Sequence, residues 1–461
     1  MIRAAKTVAA LLLVAGISRG QDARSAISLT IGQAVERALK SYPSIHISQE
    51  QINAAAARIQ LARTAYLPRV DMYAQANRAT RNNVFGMLLP QSTIPSMSGP
   101  VIGSNNLGTV WGSAVGTLVT WEPFDFGARR AGVLAANAAR GQQVASLRRT
   151  EFDVIVAAAD AYVTLIAAQE TVRAAQAGVE RADALNRTTG ALVNAQMRPG
   201  ADGSRAQAEL AAARTQLIQS QQAVAVARAN LSQFVGLDPT QIEVAGANLL
   251  RLPPEQTVAP QNIAAAPVAV EQEAAIDQLR AQLKILERGY FPRFFVQGAA
   301  YARGTGAETN GSRLGGLNGL APTTQDYALG FSVTFPVFDL PAIHAKEAEQ
   351  SAAIRAEKAR YDQIATDLKA RWSESVAVLS GSRSVAQNTP IQVTAAQTAT
   401  DQATARYRAG LGTIDQVAEA QRLLTQSEID DALARLGVWR ALLGVASAAG
   451  DIQPFLAEAS Q

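Results

Sequence analysis

The chain has 461 residues, of which 48% are hydrophobic, 17% charged and 5% aromatic, with no Cys, two His and a formal net charge of +4. Zero Cys excludes thiol nucleophiles, thiolate zinc centres, Fe–S clusters and a lipidated N-terminal cysteine. Two histidines, His46 and His344, leave little for His-based metal or acid–base chemistry, and the small Arg excess forms no basic block that would call for nucleic acid.

Residues 1–20 read as an export signal. Arg3 and Lys6 precede an apolar run at 8–17, and the small residues Ser18 and Gly20 set a cut before Gln21. That run is well short of the ~20 residues a spanning helix needs. No later stretch reads as a membrane helix, so any membrane crossing has to use a closed β-barrel.

Residues 29–66 have a helical pattern that Pro68 ends. Residues 69–80 and 110–122 read as strands around an Asn-, Ser-, Gly- and Pro-rich loop at 82–109. A Pro-free helical pattern then runs from 125 to 195, roughly 100 Å at ~1.5 Å per residue. Ala158, Leu165, Val172 and Val179 recur there every seven residues, with Ala161, Ala168, Ala175 and Ala182 three further on. After a turn at 196–204, Leu210, Leu217, Val224 and Leu231 pair with Ala206, Ala213, Ser220 and Ala227.

A Pro-rich stretch at 237–270 separates this half from a second. The second half has a helix, strands at 293–303 and 326–336 around a loop at 304–325, and a helix pair joined at 407–413. Its last seam is Val417, Leu424, Asp431 and Val438 with Ala420, Ser427, Ala434 and Ala441. Seven-residue spacing implies supercoiled helices, and small seam residues let them approach closely. Asp431 departs from the pattern, either fraying outward or marking register.

The halves repeat. Tyr66-Leu67-Pro68-Arg69 recurs as Tyr290-Phe291-Pro292-Arg293, 224 residues on, and residues 119–125 recur at 333–339, a shift of 214. Further on, Gly200, Ala208, Glu209, Thr215 and Gln216 align with Gly410, Ala418, Glu419, Thr425 and Gln426 at a shift of 210. The expected organisation is a tandem duplication, 21–236 and 271–461, joined by 237–270.

In the last strand Tyr327, Leu329, Phe331, Val333 and Phe335 alternate with Ala328, Gly330, Ser332 and Thr334. Val115, Val119 and Trp121 stand likewise against Ala114, Gly116 and Thr120. This is the period of a strand with lipid on one side and water on the other, although a half-buried strand of a soluble sheet has it too. Four strands cannot close a barrel, since small ones need about eight. Helices of ~100 Å are too long for one compact domain. Several copies that pool strands into a barrel and helices into a tube satisfy both facts. The expected fold is mainly α with a membrane β-barrel: a long coiled-coil helical barrel and four strands per chain.

No reaction is expected. Gly315, Gly316 and Gly319 lack the Lys and the strand–loop–helix setting of a phosphate cradle, and no nucleophile elbow, Walker loop or His-Glu-x-x-His motif occurs. Neither a cofactor nor a metal is called for.

Leu29-Thr30 with Ala34 and Ala38-Leu39 ahead of Tyr42-Pro43, then Tyr66-Leu67-Pro68, Trp121-Glu122-Pro123-Phe124-Asp125 and Tyr407-Arg408-Ala409-Gly410 come in a characteristic order. With the duplication, that order resembles the TolC-type outer-membrane efflux proteins over essentially all of the chain after the signal. The resemblance implies a homotrimer with a twelve-stranded barrel in outer-membrane lipid and a periplasmic helical tunnel that narrows at its inner tip. It also implies a periplasmic adaptor, an inner-membrane transporter, and a role as exit duct for efflux or type I secretion.

In that family the inner turn carries a Tyr ahead of an Arg-bearing Gly-Thr segment, followed by two acids on one helix face. Tyr407 and Gly410 match, Glu419 falls on the second acidic position, Gln416 replaces the first, and Gly412 stands where the Arg would be. Asp415 is adjacent, about 100° round the helix. The expected gate is therefore Tyr407, Arg408, Asp415, Gln416 and Glu419. Gly200 and Gly410 are expected to turn the chain at positive φ. The adaptor is expected to dock at Arg198, Pro199, Gly200, Ala409, Gly410, Leu411, Gly412 and Thr413. An exported coiled-coil scaffold without a pore would explain the heptads but not the paired hairpins, and an uptake porin would carry all its strands in one chain.

Overall fold

The computed structural model describes residues 27–80, 108–255, 261–308 and 312–460, so the export signal and almost all of the 82–109 loop lie outside the described residues. A short strand β1 (Ile27–Leu29) leads into α1 (Ile31–Ser41) and α2 (Pro43–Thr64). The one helix expected over 29–66 is therefore two. Thr30 and Gln33 cap α1 reciprocally. Tyr42 takes the extended backbone that a following proline enforces, and Pro43 opens α2.

The hairpin β2 (Arg69–Thr80) and β3 (Thr109–Trp121) follows, then α3 (Ala128–Asn194) and α4 (Gly200–Val235). Next come β4 (Ile242–Val244) and α5 (Pro267–Glu287), the hairpin β5 (Arg293–Thr305) and β6 (Thr324–Thr334), and the helices α6 (Leu340–Arg408), α7 (Ile414–Ala449) and α8 (Gln453–Ala459). The α3 helix is 67 residues long and α6 is 69. Each runs from the sheet to a distant tip, with α2 and α4 packed along α3 and α5 and α7 along α6. A side contact between α3 and α7 joins the two coils.

Element positions correct the internal alignment at the tip. Pro43 and Pro267 open matching helices 224 residues apart, as do Arg69 and Arg293 for the strands. Beyond the first hairpin loop the shift is 214 and stays 214. Both α4 and α7 have 36 residues, and both end on a left-handed glycine, Gly236 and Gly450. The 210 shift that put Gly200 on Gly410 is off by about one helical turn, because Ala- and Gln-rich helices match themselves nearly as well one turn away.

By length and composition α7 is apolar enough to cross a membrane, contrary to the expectation that no such helix follows the signal. Its apolar side is taken up by the coil, where Val417, Leu424, Val438 and Leu443 are buried.

The four long strands form one antiparallel sheet in the order β2-β3-β5-β6, leaving β2 and β6 as edges. The register sets Trp121, Val296 and Phe331 in one row and Val119, Gly298 and Leu329 in another, all on one face. On it Tyr327 is 87% exposed, Met72 82%, Leu329 80% and Phe331 64%. Val333 is also exposed, as is Phe335, which follows the strand's last residue. The other face carries Asp71, Gln75, Gln297, Arg303 and Asp326, with ion pairs Arg69–Asp71 at 2.9 Å and Arg303–Asp326 at 3.3 Å. Leu118 breaks the bulky-out, small-in pattern of β3, buried on this polar face with Ala114, Ala299 and Tyr301. Gly116 lies opposite Tyr301, where an added Cβ would come 2.2 Å from the tyrosine's own Cβ. Only glycine fits there.

The 237–270 stretch is more than a link. Within it β4 pairs in parallel with β1, and Tyr162 Oη of α3 lies 2.9 Å from Leu29 O and 3.1 Å from Ala245 O. Leu29, Ile242, Leu249, Trp439 and Phe455 close a core around the middle of α3. The signal for this three-residue strand pair was too short to read in the sequence.

Candidate functional site

The tips of both coils are built by the same backbone device. At the end of α3 the Gln196 N–H donates to Val193 O and the Met197 N–H to Leu192 O; at the end of α6 the Gly410 N–H donates to Tyr407 O and the Leu411 N–H to Arg406 O. Each is a helix cap closed by one left-handed residue. Gly410 fills that place at φ 76, as expected, but in the first turn it is Gln196 at φ 61. Gly200 does not have positive φ; it is the first residue of α4. Its Cβ position is open space, so neither conformation nor contact requires glycine there.

Pro199 and Thr413 occupy equivalent N-cap positions of α4 and α7. Thr413 forms a capping box with Gln416, whose amide oxygen accepts from the Thr413 N–H at 3.3 Å. The Gln416 side chain is thus engaged in its own helix.

The bonds across the tip join α6 to the first turn. Tyr407 is 1% exposed, and its Oη lies 3.3 Å from Asp202 Oδ2 and 3.4 Å from Thr189 Oγ1. Burial and then the nearby Asp202 carboxylate push its pKa up, so the hydroxyl remains a donor. Arg198 lays its guanidinium over the Tyr407 ring, 4.4 Å from the centroid. Its Nη2 donates to Tyr407 O at 2.7 Å and to Gly412 O at 3.3 Å. At the corrected shift of 214, Arg198 occupies the position equivalent to Gly412. The first turn thus places a guanidinium against the second. Arg198 was expected to serve docking, and here it ties the turns of its own chain together.

Behind this bond a ladder of charges links α4 and α7. Asp415 pairs with Arg205 at 3.4 Å, Arg205 with Glu209 at 3.2 Å, Glu209 with Arg422 at 2.6 Å, and Arg422 with Glu419 at 3.6 Å. The Arg422 hydrogen bond holds the Glu209 carboxylate below its ordinary pKa. Asp415 and Glu419 are largely exposed, Arg408 and Ala409 are exposed, and Leu411 is 73% exposed beside its counterpart Met197 at 72%. Asp202, Thr189, Arg205 and Arg422 were missed by sequence reasoning. The only signal available for Asp202 was an acid in the first turn of a helix, which names no partner two hundred residues away.

The chain thus carries an amphipathic sheet with two edge strands on two long coils whose turns are bonded to each other. The sequence matches the outer membrane efflux protein family over residues 34–237 and 261–451. The chain belongs to that family, and the protein is an outer-membrane efflux channel rather than a pore-free scaffold. No curated protein matches the sequence. The fold is similar to the Campylobacter jejuni CmeC outer membrane channel (TM-score 0.70, 14% identity, 94% of this chain and 89% of that one). It is also similar to the outer membrane protein VceC of Vibrio cholerae (0.69, 16%, 91% and 96%) and to the open state of the Neisseria gonorrhoeae MtrE channel (0.69, 18%, 92% and 89%).

Proposed function

We propose that three copies of this chain form the exit duct of a tripartite efflux or type I secretion system. Twelve strands close one barrel in the outer membrane, and the coils close a tunnel that reaches across the periplasm. The observation that carries this reading is the four-stranded sheet with two free edges and one exposed apolar face. Its backbone groups can be satisfied in lipid only if β6 of one copy pairs with β2 of the next. Tyr327, Leu329, Phe331, Val333 and Phe335 then face lipid. Each chain contributes two repeat units, 21–236 and 271–461, joined through 237–270.

The tip is the gate. The hydrogen bonds of Tyr407 and Arg198 hold the α6–α7 turn against the α3–α4 turn, and Asp415 and Glu419 line the aperture with Arg205 and Arg422 partly offsetting their charge. The exposed turns, with Pro199, Gly200, Ala409, Gly410, Leu411, Gly412 and Thr413, are where an adaptor hairpin docks before an inner-membrane transporter delivers its substrate.

Planar-bilayer recordings of detergent-extracted protein test the reading. A low resting conductance is expected, rising about tenfold in open probability when Arg198→Ala and Tyr407→Phe remove the tip bonds. Absence of any current, or recovery of the protein only in the soluble periplasmic fraction, would overturn it.

A further inference from the structure

We propose that Thr389 and Pro390 of α6, with Asp431 and Arg435 of α7, form a joint at which the lower part of this coil bends when the tip opens. The proposal rests on the gated-duct reading and adds where the motion occurs. Pro390 lies inside the 69-residue α6, about 27 Å above its end at ~1.5 Å per residue. It has no N–H to give to Ala386 O, and its ring crowds that carbonyl, so the helix is weakest at this point.

The seam is polar at the same level. The Thr389 hydroxyl, on a residue 5% exposed, donates to Asp431 Oδ1 at 2.8 Å, and Arg435 pairs with Asp431 Oδ2 at 2.8 Å. Asp431, the one acid in the seven-residue pattern, therefore points into the coil rather than fraying out of it. Above the joint lies one apolar cluster, Leu379, Ala386, Val438, Ala441 and Val445. Below it lies another, Leu185, Ala206, Tyr407, Ile414 and Val417, which includes the tip. The joint separates the two. Hydrogen bonds between such side chains can be exchanged for bonds to water when a seam parts, whereas parting an apolar seam exposes hydrocarbon.

Two further features fit a pivot. Near this level the half-buried pair Arg181–Glu428, at 2.6 Å, anchors α7 to α3, and the Arg205–Asp415 pair nearer the tip is more exposed. The surface between α6 and α7 at this level is an open groove lined by Val385, Asn388, Gln392 and Leu433. The equivalent level of the first coil has Ala175, Gln176 and Leu217 in place of Thr389, Pro390 and Asp431, so the device is confined to the α6/α7 pair.

Two stiffened channels test this. Pro390→Ala restores the missing donor, and Thr389→Ala with Asp431→Leu installs the Ala/Leu pair that the first coil already uses. Each is recorded in planar bilayers alone and combined with Arg198→Ala and Tyr407→Phe. Removing the tip bonds is expected to raise open probability about tenfold, and stiffening is expected to take back about threefold or more of that gain. Equal opening with and without stiffening overturns the joint and leaves the gate intact. No opening on removal of the tip bonds overturns the gate, and the joint with it. Pro390→Ala alone decides the matter if the double change prevents assembly, because it only adds a helix hydrogen bond.

Discussion

The two long coils share one plan. Each has a helix of nearly equal length, 67 or 69 residues, a turn of equal length (195–199 or 409–413) with one left-handed residue, and a return helix of 36 residues. They differ in what fills them. Between α3 and α4 the buried seam is mostly Leu, Val and Ala, including Ala158, Leu165, Ala206, Leu210 and Leu231, with two buried hydroxyl residues, Thr189 and Ser220. Between α6 and α7 it also carries Thr389, Thr400 and Ser427, with Asp431 and a proline within the helix. Thr400 bonds across to Ala420 O at 3.0 Å. An apolar seam is strong and hard to part, while a polar one keeps register at little net cost. The acid and the proline are what set the second coil apart, and they are the parts of the joint proposed above.

The largest effect comes from breaking the first coil. Leu165 is fully buried, so Leu165→Asp leaves an unpaired carboxylate in an apolar seam at a cost of about 3–5 kcal/mol. Loss of the heat-modifiable oligomer on denaturing gels is expected. The second coil responds differently. Asp431→Ala strands Thr389 and Arg435 and lowers stability by about 1–3 kcal/mol, whereas Asp431→Leu with Thr389→Ala is close to neutral. Thermal unfolding in detergent separates the two, and equal losses would contradict the seam assignment.

The turns sharpen the contrast further. Gln196 holds a left-handed backbone that costs a side-chain-bearing residue about 1–2 kcal/mol, so Gln196→Gly should stabilise the protein by about 1 kcal/mol and Gly410→Ala should destabilise it by a similar amount. The smallest effect belongs to the exposed charges. Arg422→Ala should cost the tip roughly 0.2–1 kcal/mol and make its conductance less sensitive to salt. The pH dependence has a fixed sign. Glu209 has a depressed carboxylate pKa, so its pairing is fully present above the unfolded-chain value of about 4.3 and is lost as pH falls through the lower folded value. Bilayer current at the tip should therefore be flat around neutral pH and rise only below about pH 4.

The fold was legible wherever periodicity was long. Period two in residues 326–334 and period seven in α3, α4 and α7 reappear as sheet and coil, with strand ends shifted by only a residue or two. What stayed hidden depended on single residues or distant partners. The α1–α2 break turned on one X-Pro step, and β1 and β4 are too short to show a period. At the tip, Tyr407 was named through the family resemblance of residues 407–410 and not from its spacing. The place of Arg198 was not legible, because the glycine at 200 drew the alignment one turn out of register, while the residue holding the left-handed position is a glutamine.

The shared barrel is the claim on which the gate, the coils and the joint all depend. Native mass measurement of the mature protein extracted from outer membranes tests it most directly. Three chains per particle, falling to one only after heating, is the expected result. A stable single chain that stays in detergent-free water with β2 and β6 unpaired would contradict it.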